Sequence, residues 1–368
     1  MRVFFAGGGT GGHLYPGLAI ARALVHIAPE VAPFFIGAQR GIERDILPTT
    51  EFPFTLLNLH PLYRRTPWNN WRTLFGAVGA WREISKLAAK DPPQLVVATG
   101  GYASGVALAW ARMHGVPTVL HESNSYPGLT TRAFAGSAAA IYLGFPEAAN
   151  HFKAGTNTQV VALGNPIVPP PVPPISRAQA REKWGFPIDA FVVLVTGGSQ
   201  GARALNDAVA AWCTNGLPDG VAIIWGTGRN QAAAYLDRDS ELVRVRAYLA
   251  PIAEAYAAAD LAVTRAGAMT IAELCAWGIP SVLVPLPTAA QDHQTQNARA
   301  IAGAGGAVLL PQAELSAESL DATVRALLSR PDHLAAMRMA LTQRGRPTAA
   351  AEIACALLQM LRSGCANV

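Results

Sequence analysis

Charge is scarce in this chain. Only 14% of its 368 residues are Asp, Glu, Lys or Arg, a composition that fits a compact α/β protein with many tight turns between strands and helices. Cysteine is scarcer still. The four, Cys213, Cys275, Cys355 and Cys365, form no C-x-x-C pair, which excludes a disulfide framework or structural zinc and points to a reducing compartment. No metal and no cofactor are expected. No secretory leader is expected either, because Arg2-Val3-Phe4-Phe5 runs straight into glycines and is too short for an apolar leader core. The charge-free apolar stretch Leu274–Gln291 contains Pro280, Pro285 and Pro287, which excludes a spanning helix there. The protein is expected to be soluble or peripheral to a membrane.

Glycine (34 residues) and proline (27), by contrast, are plentiful, and 51% of the chain is hydrophobic. The length suits two cores better than one. Short apolar runs at Val3–Ala6, Phe34–Gly37, Leu95–Thr99, Thr118–His121, Ala140–Leu143 and Gln159–Leu163 alternate with helical patterns. Leu14, Leu18, Ala21 and Val25, for example, share one helix face. That alternation predicts a parallel sheet covered by helices. Six of the nine residues from Pro166 to Pro174 are proline, a semi-rigid spacer. Beyond it Ser176 is placed to cap a helix to Trp184. The rhythm then repeats at Phe191–Thr196, Ala222–Trp225, Val243–Tyr248, Leu261–Thr264, Ser281–Val284 and Ala307–Leu310, and helices follow over Glu318–Leu328, His333–Gln343 and Thr348–Leu361. The expected organisation is a first domain over 1–163, a linker over 164–176 and a second domain over 177–344. The terminal helix, about 345–368, is expected to pack back on the first domain.

The net charge of +5 is unevenly spread. Residues 1–163 hold 13 Lys and Arg against 8 Asp and Glu, whereas 164–368 hold 16 of each. Within 60–90, Arg64, Arg65, Arg72, Arg82, Lys86 and Lys90 face only Glu83, among Tyr63, Trp68, Trp71, Phe75 and Trp81. Cations interleaved with aromatic rings suit an anionic membrane surface. A solvated helix with an ordinary core face and a single-stranded nucleic-acid site are the alternatives to that reading.

Two glycine turns carry the chemistry. GGGTGGH at 7–13 and GGSQGAR at 197–203 each follow a strand-like run and open a helix. Such a turn aims backbone N–H groups and the positive end of a helix dipole at one point, where an anion can sit. The first matches G-x-G-x-x-G, but the second strand ends Phe34-Phe35-Ile36-Gly37-Ala38-Gln39 without the carboxylate that a dinucleotide site requires for its ribose. Nicotinamide and flavin are therefore not expected. His13, where loop becomes helix, is a candidate general base or a helix cap. Thr99-Gly100-Gly101-Tyr102 and His121-Glu122-Ser123-Asn124 end strands at the same sheet edge, the second as a sugar-binding or an ordinary polar turn. In the second half, Glu273 is placed one turn into a helix, where its carboxylate can accept bonds from two ribose hydroxyls. The amide-rich run Gln291–Asn297 suits polyhydroxyl recognition. With no metal expected, the leaving group is left to helix N-termini, Ser and Thr hydroxyls, and Arg203 or Arg265. Together these pieces favour a nucleotide sugar.

GGGTGGH, TGGY (99–102), HESN (121–124), GNP (164–166), GGSQGAR, AGAMTIAE (266–273) and DHQTQNA (292–298) span nearly the whole chain, in an order that resembles glycosyltransferase family 28. The resemblance implies the GT-B fold, two Rossmann-like parallel-sheet domains facing across a cleft. It also implies inverting transfer of N-acetylglucosamine from UDP-N-acetylglucosamine to the muramyl C4 hydroxyl of a lipid-linked acceptor, lipid I, in peptidoglycan synthesis. His13 would be the base, with Glu122 the alternative. Thr10, Gly11, Gly12, Gly100, Gly101, Tyr102 and Asn124 would serve the first domain's site. Ser199, Gln200, Gly201 and Arg203 would meet the donor diphosphate, and the Leu249 backbone the uracil. Arg265, Ala268, Met269, Thr270, Ile271, Ala272 and Glu273 would hold α-phosphate and ribose, and Gln294 the sugar hydroxyls. Segment 60–90 would lie on the inner leaflet of the cytoplasmic membrane, with no nucleic acid as partner. Two positions depart from the family pattern: Val168 stands where an Arg contacts the donor, and HESN replaces HEQN. Rival readings are a UDP-N-acetylglucosamine 2-epimerase, a UDP-sugar transferase for another lipid, and a catalytically silent sugar-nucleotide scaffold.

Overall fold

The computed structural model describes residues 1–59 and 70–365, with side chains at 1–59 and 75–364. Tyr63, Arg64, Arg65 and Trp68 of the basic aromatic segment lie outside the described residues, as do the side chains of Trp71 and Arg72. Two compact units divide the chain: Met1–Ile167 with Thr348–Val368, and Val168–Pro347.

The first unit runs β1 (Arg2–Gly7), α1 (Gly11–Ile27), β2 (Ala32–Ala38), α2 (Glu43–Ile46), β3 (Phe54–Leu57), α3 (Asn70–Lys90), β4 (Leu95–Gly100), α4 (Tyr102–Met113), β5 (Thr118–Glu122), α5 (Leu129–Phe134), β6 (Ala140–Leu143) and β7 (Gln159–Val161). Its sheet is parallel throughout, in the order β3-β2-β1-β4-β5-β6-β7. β1 is apolar along its length because both faces are covered. Val3 and Phe5 join the core beneath α1, while Phe4 and Ala6 join the one beneath α3 and α4.

The second unit runs α6 (Arg177–Trp184), β8 (Phe191–Thr196), α7 (Arg203–Asn215), β9 (Val221–Gly226), β10 (Val243–Arg246), α8 (Ile252–Ala258), β11 (Leu261–Thr264), α9 (Ala268–Trp277), β12 (Ser281–Leu283), α10 (His293–Gly303), β13 (Ala307–Leu309), α11 (Ala317–Leu328) and α12 (Pro331–Arg344). Its parallel sheet has the order β10-β9-β8-β11-β12-β13. Ser176 does stand at the start of α6, but its side chain makes no capping bond. Ser316 caps α11 instead, in a reciprocal box with Ser319. The chain closes with α13 (Ala349–Cys365), which lies on α1 of the first unit. Ile353, Leu357 and Leu361, spaced by four, are buried there among Leu14, Leu18 and Leu24. Each such side chain contributes about 1.5–3 kcal/mol by leaving water.

In an open parallel sheet, ligands collect at the carboxyl ends of the strands where the winding direction reverses. Strand order places those points between β1 and β4 in the first unit, and between β8 and β11 in the second. Both glycine turns leave a strand that borders one of these points.

Candidate active site

At the first switch point the 7–13 turn lies against the 99–102 turn. The Gly8 amide donates to the Gly100 carbonyl at 3.3 Å, and Thr99 Oγ1 donates to the His13 carbonyl at 2.6 Å. The approach leaves no room for side chains: Gly101 has φ +83°, and a Cβ there would run into the Gly8 carbonyl. Tyr102 covers Gly9 with its ring edge. Thr10 is exposed at the start of α1, and its carbonyl accepts from the amides of His13 and Leu14 at 3.1 and 3.2 Å.

His13 is half-buried, and its ring rests against Gly100. Its Nδ1 lies 3.1 Å from the Gly8 carbonyl and 3.2 Å from Thr10 Oγ1. A carbonyl only accepts, so Nδ1 carries the proton in the neutral ring and Nε2 carries the lone pair. That is the state a general base requires.

The 121–124 turn reaches the same place through Ser123, whose Oγ is 3.4 Å from the Gly12 carbonyl and 3.4 Å from His121 Nδ1. Gly12 would normally bond the amide of residue 16, but Pro16 has none. His121 is fully buried, with Nε2 3.4 Å from the Gly164 carbonyl. Burial, reinforced by the charge on His13, holds its pKa down at about 4. Glu122 is committed to its own loop. Oε1 accepts from the Asn124 amide (3.0 Å) and Nδ2 (3.3 Å), and Oε2 from the Gly128 amide (2.9 Å) and Thr131 Oγ1 (2.7 Å). Asn124 is thus oriented by Glu122, and of the two candidate bases the geometry favours His13.

One carboxylate at this site comes from outside every motif. Glu43, the first residue of α2, is fully buried beneath the glycine turn. Its Oε1 accepts from the Gly9 amide at 2.9 Å and the Ala38 amide at 3.1 Å. Oε2 is buried with no hydrogen-bond partner among the described residues. The acid absent from the end of β2 therefore arrives five residues later, turned under the loop.

In the second unit a cavity of about 460 Å³ opens at the switch point, lined by Gly197, Gly198, Gly201, Arg203, Gly267, Thr270 and Gln294, among others. The N-termini of α7 and α9 both border it, so two positive helix ends meet there. Ser199, Gln200 and Arg203 are exposed beside it. On α9, Ala268 and Ile271 turn into the core, and the Ile271 amide already bonds the Gly267 carbonyl. That leaves the amides of Met269 and Thr270 as helix-end donors. Ala272 is half-buried on the same helix. The Gln294 side-chain carbonyl accepts from the Leu286 amide at 2.9 Å, which orients its NH₂.

Several partners in this unit carry no sequence motif. Tyr256 OH donates to Glu273 Oε2 at 2.7 Å. Burial raises the Glu273 pKa, and this bond opposes the rise. Arg265 donates to the carbonyls of Val284 and Pro285 at 3.2 Å and to Gln312 Oε1 at 2.6 Å. Burial lowers its pKa. Val168 is 81% exposed. A cation does stand beside the turn: the Arg229 amide donates to the Ser199 carbonyl at 3.3 Å, and its guanidinium lies 4.5 Å over the Tyr248 ring. The neighbouring Leu249 side chain packs beneath Gly226. Only its backbone remains for a ligand.

Residues 3–143 match the glycosyltransferase family 28 N-terminal domain, and residues 192–353 match the family's C-terminal domain. A Moorella thermoacetica protein named UDP-N-acetylglucosamine–N-acetylmuramyl-(pentapeptide) pyrophosphoryl-undecaprenol N-acetylglucosamine transferase is 38% identical, over 99% of this chain and all of its own. One of the same name from Desulforudis audaxviator is 40% identical over 95% of each chain. Among solved structures, Acinetobacter baumannii MurG superposes with a TM-score of 0.76 at 27% identity, covering 97% of this chain and 99% of its own.

Proposed function

Given that this chain belongs to glycosyltransferase family 28, we propose that it transfers N-acetylglucosamine from UDP-N-acetylglucosamine to lipid I, giving lipid II for peptidoglycan synthesis. What carries the reading is full-length relatedness at 38–40% identity to transferases named for that donor and acceptor. The acceptor's C4 hydroxyl attacks the anomeric carbon and His13 Nε2 takes its proton. The bond from that carbon to the diphosphate breaks with inversion, and UDP leaves. Its charge is met by the glycine turn at 197–201 and the amide ends of α7 and α9. Glu273 holds the ribose hydroxyls, the Leu249 backbone the uracil, and the Gln294 amide the sugar. The first unit takes the acceptor, with its pyrophosphate near Thr10, Gly11 and Gly12.

The acceptor's lipid tail requires a membrane. Among the described residues no helix is long and apolar enough to cross one, so attachment is peripheral in this reading. On α3, Phe75 (71%) and Val78 (45%) are exposed. Beside them an apolar hollow of about 380 Å³ is lined by Ala77, Trp81, Val106 and Ala109, with Arg82 at its rim. Rings and aliphatic groups at headgroup depth, flanked by cations, support placement on the inner leaflet.

The test mixes purified protein, UDP-N-acetylglucosamine and lipid I, and follows UDP release. Acceptor-dependent release is expected. Turnover of the nucleotide sugar without acceptor would replace the reading with a 2-epimerase. His13→Ala should lower kcat by roughly 10²–10⁴, and a variant that keeps most of its kcat would remove His13 as base.

A further inference from the structure

The Gly8–Gly9 peptide is held at both ends. Its N–H, on Gly9, donates to Glu43 Oε1 at 2.9 Å. Its C=O, on Gly8, accepts from His13 Nδ1 at 3.1 Å. One planar amide therefore stands between a buried carboxylate and the imidazole. The unit is rigid, so fixing the N–H fixes the direction of the carbonyl. Hydrogen bonds in series polarise one another. An acid pulling on the N–H makes the carbonyl a stronger acceptor, which favours a proton on Nδ1 and stabilises the ring once Nε2 is protonated.

We propose that Glu43 is a positioning residue that sets the tautomer and basicity of His13 through the Gly8–Gly9 peptide. It does the work of a carboxylate bonded directly to a catalytic histidine, with one amide interposed. The surroundings are built for it. A Cβ on Gly8 would run into Glu43 Oε1 and one on Gly41 into Oε2, while one on Gly37 would sit 2.9 Å from Glu43 Cβ. The loop is shaped to admit this side chain. The spare oxygen, buried without a partner among the described residues, indicates that Glu43 is retained for more than packing, since an unmatched buried acceptor costs stability. The other titratable groups around His13 are His121 and Glu122 at the end of β5 and Tyr102 at the start of α4. Glu122 is spent on its loop and His121 is neutral above about pH 4. Glu43 is the acid that reaches His13 through a peptide.

The role deepens the reading of His13 as base and rests on it, so the test reads the imidazole directly. Full-length protein with ¹⁵N-labelled histidine is titrated by NMR, with the His13 signals identified by their loss in His13→Gln. The wild-type ring should be the Nδ1–H tautomer when neutral. In Glu43→Gln, whose amide oxygen keeps one acceptor for Gly9, the His13 midpoint should fall by about one pH unit. The acid limb of kcat/KM should move to lower pH with it, and kcat should fall about tenfold while the KM for UDP-N-acetylglucosamine holds. An unmoved midpoint in the folded variant overturns the proposal. A neutral wild-type ring protonated on Nε2 overturns it without any variant, should Glu43→Gln fail to fold. An unmoved midpoint leaves the reading of His13 as base standing, and the alanine variant decides that reading separately.

Discussion

Replacing His121 by Gln should change how the first unit responds to acid, by an amount that follows from one buried ring. His121 is 1% exposed at the end of β5, and its Nε2–H faces the Gly164 carbonyl. Its pKa is held at about 4, chiefly by burial, with the charge on His13 adding to the effect and the Gly164 bond opposing it. In the unfolded chain the ring titrates near ~6.5. The folded value is the lower one, so between the two it is the unfolded chain that binds the extra proton. The neutral ring's contribution is therefore whole above about pH 6.5 and is lost as the pH falls toward about 4. A gap of that size corresponds to about 3 kcal/mol over the full window, of which about 2 kcal/mol disappears between about pH 7.5 and pH 5. Against a total of roughly 5–15 kcal/mol for a domain, that is a visible share.

Gln keeps an N–H for the Gly164 carbonyl and does not titrate. The two units need not unfold together, so a single melting curve is a poor probe. Hydrogen exchange of β4 and β5 amides, read by mass spectrometry, reports opening of the first unit alone. Comparing the two proteins at each pH cancels the intrinsic exchange rate. Relative to the His121→Gln variant, wild-type protection should weaken about 30-fold in opening constant between about pH 7.5 and pH 5. Parallel pH profiles in the two proteins would refute the argument, because they would mean that the ring charges in place without cost.

Tyr256→Phe removes the donor to Glu273 Oε2, a bond that favours the ionised carboxylate. The KM for UDP-N-acetylglucosamine should rise about 5- to 20-fold at neutral pH with kcat nearly kept, and its acid limb should move to higher pH. An unchanged KM would show that Glu273 does not depend on Tyr256. Phe75→Ser with Val78→Ser strips two exposed apolar groups from α3. Flotation with vesicles of anionic phospholipid should fall severalfold while UDP release from a water-soluble acceptor analogue is kept. Undiminished flotation would move the membrane face elsewhere.

Much of the architecture is legible in the sequence because a covered parallel strand is a continuous apolar run that a glycine turn ends. β1, β8 and β11 are such runs. β3 is not: Phe54–Leu57 is a four-residue edge strand behind Pro53, half-buried and without alternation. The glycine turns are legible for a related reason, since only residues lacking a Cβ allow Gly101 to meet Gly8. The groups beneath the turns are not. Glu43 lies five residues beyond Ala38, past the stretch where an acid is sought, and its role depends on the 9–43 bond. Tyr256 and Gln312 meet Glu273 and Arg265 across 17 and 47 residues, with no periodicity to announce the pairs. Arg265, read as a free cation for the leaving group, is largely occupied by two carbonyls and Gln312. What sequence pattern conveys is backbone shape, and what it omits is the polar partner that shape brings near.

The two glycine turns share that shape and differ in what supports them. Under the second lies Asn206, fully buried. Its Nδ2 donates to the Thr227 carbonyl at 2.8 Å and Gln231 Oε1 at 2.9 Å, and its Oδ1 accepts from Trp225 Nε1 at 3.0 Å. The brace is a neutral amide, so the positive ends of α7 and α9 act on the cavity undiminished. Under the first the brace is an acid that has already taken the Gly9 amide. An anion placed there has one donor fewer and a carboxylate beneath it, and must rely on the first-turn amides of α1. Such a turn is a weaker phosphate cradle and a better mount for a base, because the same acid that opposes a bound anion favours protonation of His13. A leaving diphosphate belongs where the field is positive, and the proton acceptor belongs where it is not. The supports favour the proposed placement, with the donor in the second unit and the proton transfer in the first.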